Sequence, residues 1–152
     1  LAIESATLRP ATERDLFDVA RMASSFLRSV ETYGAVIPNT PAHIDRVSRT
    51  LLEHGVIVLA ERHGIAVGMI AGLVYPDLMT TLITISELWW WVDEDVRGTG
   101  IAEVLLERFE LWGREHGATR AQIGSRHRVL DRYYKRFGYA PIERIFVKEL
   151  VS

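Results

Sequence analysis

The residues best suited to chemistry lie in one run, Glu87-Leu-Trp-Trp-Trp-Val-Asp-Glu-Asp-Val-Arg-Gly-Thr-Gly-Ile-Ala102. Its apolar, aromatic first half predicts a strand, and its glycine-containing second half predicts a turn that opens directly into a helix. The first turn of a helix carries unpaired N–H groups and the positive end of the dipole. Gly98, Thr99, Gly100, Ile101 and Ala102 can therefore surround an anion, above all a phosphate, with donors. Arg97 adds a charged donor at the rim, and the small residues at 98, 100 and 102 let oxygen atoms approach the backbone. No Gly-Lys-Ser/Thr follows the glycines and the Gly-x-Gly-x-x-Gly spacing is missing, which argues against a Walker-type phosphate loop and a dinucleotide fingerprint. The plainer reading of such a glycine pair is a helix cap with Arg97 in solvent.

Outside that run the chemistry is sparse. The chain has no cysteine, so thiolate nucleophiles, disulfides and Cys-based metal sites are absent. His43, His54, His63, His116 and His127 are scattered over predicted loops and helix ends and suggest no zinc cluster. Arg126, His127, Arg128, Arg132, Lys135 and Arg136 form a basic run. It reads either as an attraction for phosphate or as a solvated helix surface balanced by Asp131.

Arg97-Gly-Thr-Gly-Ile-Ala102 resembles the Arg/Gln-x-x-Gly-x-Gly/Ala signature of the GNAT N-acetyltransferase superfamily. The wider block from Glu87-Leu88 through Val92 to the Leu105-Leu106 pair and Gly117 is similar to the family's central motif. Downstream, Tyr134-Lys-Arg-Phe-Gly-Tyr139 resembles its Tyr-x-x-x-Gly-Phe/Tyr segment. With the order of elements included, the resemblance spans nearly the whole chain, although it is much less specific before Thr81. The sequence departs from the pattern at Glu94, where proline is common, and at His127 and Leu130, where Asn and Ala are frequent.

The resemblance implies an α/β (α+β) acyl-CoA N-acyltransferase fold: a central mixed, mostly antiparallel sheet, flanked by helices and splayed at the cofactor site. It implies acetyl-CoA as acyl carrier, with its pyrophosphate on residues 97–102. The pantetheine arm would lie beside the backbone of Trp91 and Val92, and the adenine or ribose side near His127. The acceptor would be a primary amine of a small molecule or protein, which must lose a proton before it can attack. Glu87 matches the family's base, with a solvated strand glutamate as the alternative. Tyr134 matches the general acid for the departing thiolate, with a packed aromatic as the alternative and Tyr133 as a neighbouring decoy. Without cysteine the expected route is direct attack in a ternary complex. The rival reading is a non-catalytic acyl-CoA sensor or interaction module.

The elements that must position these groups follow from periodicity. A short strand ending at Leu8-Arg9-Pro10 leads, through a Thr12/Asp15 capping box, into an amphipathic helix over residues 13–29. Thr40-Pro41 opens a second helix that Gly55 ends. Strands over residues 56–62 and 65–75 are joined at His63-Gly64, and a long strand covers residues 81–93. A helix follows from near Gly98 to Gly117, then a strand over 118–124, a helix over 128–137 and a last strand over 142–150, with a short strand also considered at 138–140. Strict alternation puts Glu87, Trp89 and Trp91 on one face of the long strand, a pattern a bulge would shift. One of the tryptophans is free to border an acceptor pocket or a dimer contact. The segment over residues 33–40 is a second candidate border for the acceptor.

Length and composition set the frame. The 152 residues fit one domain over residues 1–152 with one core. A net charge of −2 offers no general attraction to nucleic acid or anionic membrane. No apolar run approaches the roughly 18 residues of a membrane span, and no leader pattern opens the chain, so a cytoplasmic address is expected.

Overall fold

The computed structural model describes residues 6–31, 38–125, 128–148 and 150. One sheet runs β1 (Thr7–Pro10), β2 (Val56–Arg62), β3 (Ile65–Pro76), β4 (Ile83–Val92), β5 (Arg120–Gln122), and this is also its spatial order. Neighbours are antiparallel except β4 and β5, which are parallel. The helices are α1 (Leu16–Glu31), α2 (Pro41–His54), α3 (Ile101–Glu115) and the short α4 (Asp131–Lys135). This is the mixed, mostly antiparallel sheet flanked by helices that the resemblance implies. No helix among the described residues is long and apolar enough to cross a membrane.

Local chemistry accounts for the element ends. Thr40 caps α2 by accepting the His43 amide at 3.2 Å, and Pro41 loses no helical bond at the first position. His63 and Gly64 both take positive φ, as a tight hairpin of two right-twisted strands requires. The predicted helix over 13–29 divides into a 3-10 turn (Glu13–Asp15) and α1. That over 128–137 divides into a 3-10 turn (Arg128–Leu130) and α4.

Each face of the sheet carries a core. Val19, Met22, Ala23 and Leu27 of α1 pack with Ile44 and Leu51 of α2 over Ile57, Leu59, Met69, Ala71 and Trp89. On the other face Ile101, Leu105, Leu106 and Phe109 of α3 cover Val58, Ile70, Ile85 and Val92. Ile85 and Trp89, four residues apart on one strand, thus serve opposite faces. A bulge explains it: Ala71 pairs with Trp89 but Gly72 pairs with Glu87, so Leu88 is the additional residue. Gly72 allows the close approach, since a Cβ there would stand 2.0 Å from the Ser86 carbonyl. Trp89 and Trp91 share the α1/α2 face as alternation predicts, while Trp90 joins the α3 side.

β5 is shorter than the predicted strand over 118–124, because its ladder with β4 covers only Thr84–Ser86 against Arg120–Gln122 before β4 bulges away. Arg120 secures the short contact, its Nε donating to Thr84 Oγ1 at 3.1 Å and its guanidinium meeting the Asp77 carboxylate. The last predicted strand is not formed: residues 141–148 and 150 have no regular structure, and neither has Gly138 to Ala140. Extended backbone becomes a strand only against a partner, and these residues have none on their own sheet. The chain is anchored just before them, where the Tyr139 hydroxyl donates to Glu110 of α3 at 2.7 Å.

The entry to α1 is tied to the sheet by Asp15. Its buried carboxylate accepts both Arg9 terminal nitrogens at 2.7 and 2.8 Å and the Thr12 amide at 2.7 Å, while Arg9 also reaches Glu61 at 2.6 Å. The Arg9 guanidinium, helped by the Thr12 amide, holds this carboxyl well below the usual carboxylate range. A depressed folded pKa stabilises the fold fully above the unfolded value of 3.8, and that contribution is lost as pH falls through the folded pKa. We expect Asp15→Asn to cost about 1–3 kcal/mol near neutral pH. Urea midpoints of the two proteins should stand apart there and converge as the pH drops below 3.8; a gap that persists undiminished into strong acid contradicts the assignment.

Candidate active site

The early end of the β4–β5 ladder opens a gap. From Leu88 to Val92 the side of β4 toward β5 has no strand partner among the described residues, because the parallel register stops at Ser86 and Gln122. The unpaired stretch can still pair with an extended ligand.

At the start of this gap stands Glu87. Its carboxylate accepts the backbone amide of Gly124, just past β5, at 3.3 Å. The bulge sends it toward Tyr134 rather than onto the α1/α2 face with Trp89 and Trp91. Tyr134, on α4, stacks on Trp90 with ring centroids 6.0 Å apart and planes 26° apart. Burial, and after it the nearby Glu87 charge, pushes its phenol up to about 12. The structure therefore brings Glu87 and Tyr134 close enough to sense each other. Tyr133 touches the same Trp90 ring, tilted at 6.3 Å, but also meets Phe137 edge-on at 5.1 Å, and burial together with the Glu103 carboxylate pushes its phenol up to about 12.

At the far end of β4 lies the glycine turn. Gly98 and Gly100 hold φ of 77° and 87°, and a Cβ on either would meet nothing within 4 Å. Val104 is the first helical amide with a backbone acceptor, the Gly100 carbonyl at 3.2 Å. The amides of Gly98, Thr99, Gly100, Ile101 and Ala102 before it bond to no backbone acceptor among the described residues. This open face and free amides fit a phosphate group of the predicted carrier. The Thr99 side chain does not join them, since its hydroxyl donates to the Val96 carbonyl at 2.6 Å.

Arg97 is less free than the sequence suggests. Its Nε donates to the Val92 carbonyl at 3.0 Å and its guanidinium lies 4.7 Å from the centre of the Trp91 ring. Trp91 is held in turn, its Nε1 donating to Asp93 at 2.8 Å. Asp93 also accepts Arg21 of α1 at 3.0 Å, and Arg21 donates to the Ala66 carbonyl of β3 at 2.8 Å. Sequence reasoning gives neither Arg21 nor Asp93 a role at the site, and no local signal could join residues so far apart in the chain. The Gly124 amide was equally invisible, as it matters only through its place beside Glu87. His127, the residue expected at the adenine or ribose side, lies outside the described residues, as does most of the 33–40 border.

A cavity of about 620 Å³ opens between α1 and the end of β4, lined by Ser25, Arg28, Ser29, Trp91, Asp93, Glu94 and Asp95. Neither Glu87 nor Tyr134 lines it, so the chemistry is placed at the strand gap and not in this cavity. Among the described residues no group of three or more His, Cys, Asp or Glu side chains could hold a metal ion.

The acetyltransferase (GNAT) family matches residues 21–139. By sequence alone, no curated protein is significantly similar to the chain. Solved structures are similar in fold. AAC(6')-Iy, in complex with the bisubstrate analog CoA-S-monomethyl-acetylneamine, superposes with a TM-score of 0.79 at 14% identity, over 97% of this chain and 99% of that one. A transcriptional regulator from Bacillus halodurans C-125 gives 0.77 at 18% identity, over 95% and 99%. The ribosomal-protein-alanine N-acetyltransferase from Brucella melitensis biovar Abortus 2308 gives 0.74 at 18%, over 96% and 99%. With most of its length matched, and with the strand gap and open glycine turn in their expected order, the chain belongs to the GNAT acetyltransferase family.

Proposed function

We propose that the protein transfers the acetyl group of acetyl-CoA to a primary amine by direct attack in a ternary complex. The observation that carries this reading is the unpaired stretch of β4 that joins Glu87 and Tyr134 to a turn of open amides. Two of the similar structures support nitrogen as the acceptor, one named an N-acetyltransferase and one holding an analog of CoA joined to acetylneamine.

When bound, acetyl-CoA supplies a thioester carbonyl already activated for acyl transfer. The amides of residues 98–102 would hold its pyrophosphate at the positive end of α3, and the strand edge at Trp91 and Val92, where the Val92 carbonyl already accepts from Arg97, would align its pantetheine arm. Glu87 takes a proton from the amine, whose reference pKa is about 10.4. The nitrogen–carbon bond forms, the carbon–sulfur bond breaks, the sulfur takes the phenolic proton of Tyr134, and the acylated nitrogen gives up its second proton to solvent. Glu87 and Tyr134 then regain their starting states by proton exchange with solvent. The two groups assist each other: once Glu87 is protonated, its charge no longer raises the Tyr134 pKa, so the phenol becomes a better donor at the step that needs it.

A coenzyme-release assay over polyamines, aminoglycosides, amino acids and peptide N-termini, with mass detection of product, tests the reading. Glu87→Gln should lower kcat by about 10²–10⁴-fold. Tyr134→Phe should lower it by about 10–10²-fold with coenzyme binding retained. Because the phenol titrates at about 12, Tyr134→Phe should leave the shape of the pH–rate profile below pH 10 unchanged. An acyl-enzyme isolated without acceptor would exclude direct attack, and coenzyme binding with no turnover on any amine would favour a sensor.

The brace behind the turn gives a separate expectation. Asp93→Ala frees Trp91 and with it the support under Arg97, so the KM for acetyl-CoA should rise about five- to tenfold while kcat changes little. An equal fall in kcat at unchanged KM would place Asp93 in the chemical step instead.

A further inference from the structure

Tyr134 can serve as the acid only if its hydroxyl is held closely in place, since a misplacement of about 1 Å can cost on the order of 10²-fold in rate. The helix that carries it, α4, spans five residues, and a helix of that length does not hold itself. Stacking on Trp90 fixes the plane of the Tyr134 ring, but offset stacks tolerate sliding within that plane. Another contact must set how far the hydroxyl reaches.

The chain just beyond α4 supplies one. Gly138 takes a φ of 86°, and the backbone folds back on the helix: the Gly138 amide donates to the Lys135 carbonyl at 3.1 Å and the Tyr139 amide to the Tyr134 carbonyl at 3.3 Å. These are the two bonds of a glycine-terminated helix end, and the longer loop of the pair closes on Tyr134 itself. A Cβ at 138 would meet nothing within 4 Å, so glycine is needed there for its conformation and not for space. The Tyr139 side chain then leaves α4 for α3. Its hydroxyl donates to Glu110 Oε1 at 2.7 Å, and Glu110 Oε2 accepts from Arg114 at 3.1 Å. Burial and the bond to Glu110 raise the Tyr139 phenol well above its usual value, so it keeps its proton and remains a donor.

We propose that Glu110 and Tyr139 are positioning residues for the acid: Glu110 holds the Tyr139 hydroxyl, the Tyr139 amide holds the Tyr134 carbonyl, and the Tyr134 phenol is thereby kept at the strand gap. The inference rests on the role proposed for Tyr134 in acetyl transfer. It gives α3 work at both ends of the site, its first turn at the phosphates of the carrier and its last two turns behind the proton donor. Because both residues act through Tyr134, their loss should lower kcat, leave the KM for acetyl-CoA in place, and have no effect once the phenol is gone.

A double-mutant cycle tests this. With the amine that turns over fastest in the coenzyme-release assay, Tyr139→Phe and Glu110→Ala should each lower kcat about five- to tenfold and move the KM for acetyl-CoA less than about twofold. Glu110→Gln, whose amide oxygen can still accept from Tyr139, should restore most of the rate that Glu110→Ala loses. On a Tyr134→Phe background, Tyr139→Phe should lower kcat no further. A full additional fall there, or Glu110→Gln as slow as Glu110→Ala, overturns the inference and leaves the role of Tyr134 standing. Undiminished kcat in Tyr134→Phe overturns that role and the inference with it. A second measurement needs no acceptor: NMR of protein isotope-labelled at tyrosine Cζ follows the Tyr134 resonance, identified by its loss in Tyr134→Phe. In Tyr139→Phe that phenol should titrate below the value of about 12 that its buried position gives it. A titration that stays at about 12 overturns the inference, whether or not any amine turns over.

Discussion

The arrangement depends on one local event, the insertion of Leu88 into β4. Before it, β4 runs as an ordinary strand, with β3 on one side and a three-residue parallel ladder to β5 on the other. After it, the faces exchange and the ladder to β5 has ended. A sheet paired throughout would hold no ligand, because every backbone donor and acceptor would already be satisfied. Past the bulge one side of the strand has no strand partner among the described residues, while its other side stays locked to β3. The same shift turns Glu87 toward Gly124 and Tyr134, while Trp89 and Trp91 face the α1/α2 core.

The rest of the molecule holds that open strand in place. Arg120 bonds the short β5 to Thr84 and to Asp77 in the preceding turn, which secures the start of the ladder. Phe109 and Ile101 press α3 onto the α3-side core, which fixes where the free amides of its first turn point. Trp90 gives Tyr134 a stacking surface, so a helix as short as α4 is held by aromatic packing more than by its own hydrogen bonds.

What was legible in the sequence was whatever short-range chemistry decides. Thr40 and Pro41 announce α2, His63-Gly64 announces the hairpin, and Gly98 and Gly100 announce the turn, because each rests on a conformation a few neighbouring residues determine. The strand that Leu88 interrupts was legible, but the bulge was not: an apolar residue among apolar residues carries no mark of being the additional one. The link from Arg21 through Asp93 to Trp91 was hidden for a different reason. It needs α1 and the end of β4 side by side, which only the packed sheet provides. The strand expected over residues 142–150 fails for a third reason, since side-chain propensity supplies a preference and not a partner.

The position of Arg97 joins these strands of argument. Sequence alone makes it a free cation at the rim of an anion site. In the fold its Nε is on the Val92 carbonyl and its plane is over Trp91, which Asp93 and Arg21 hold from behind. The arginine thus connects the strand that would align the thioester arm to the turn that would hold the phosphates. Val92's carbonyl has a second lone pair, so this bond leaves it able to accept from a ligand as well. A site built this way fixes the distance between its two ends before any ligand arrives, and a flexible carrier gains most from such a site because the protein has already met part of the ordering cost.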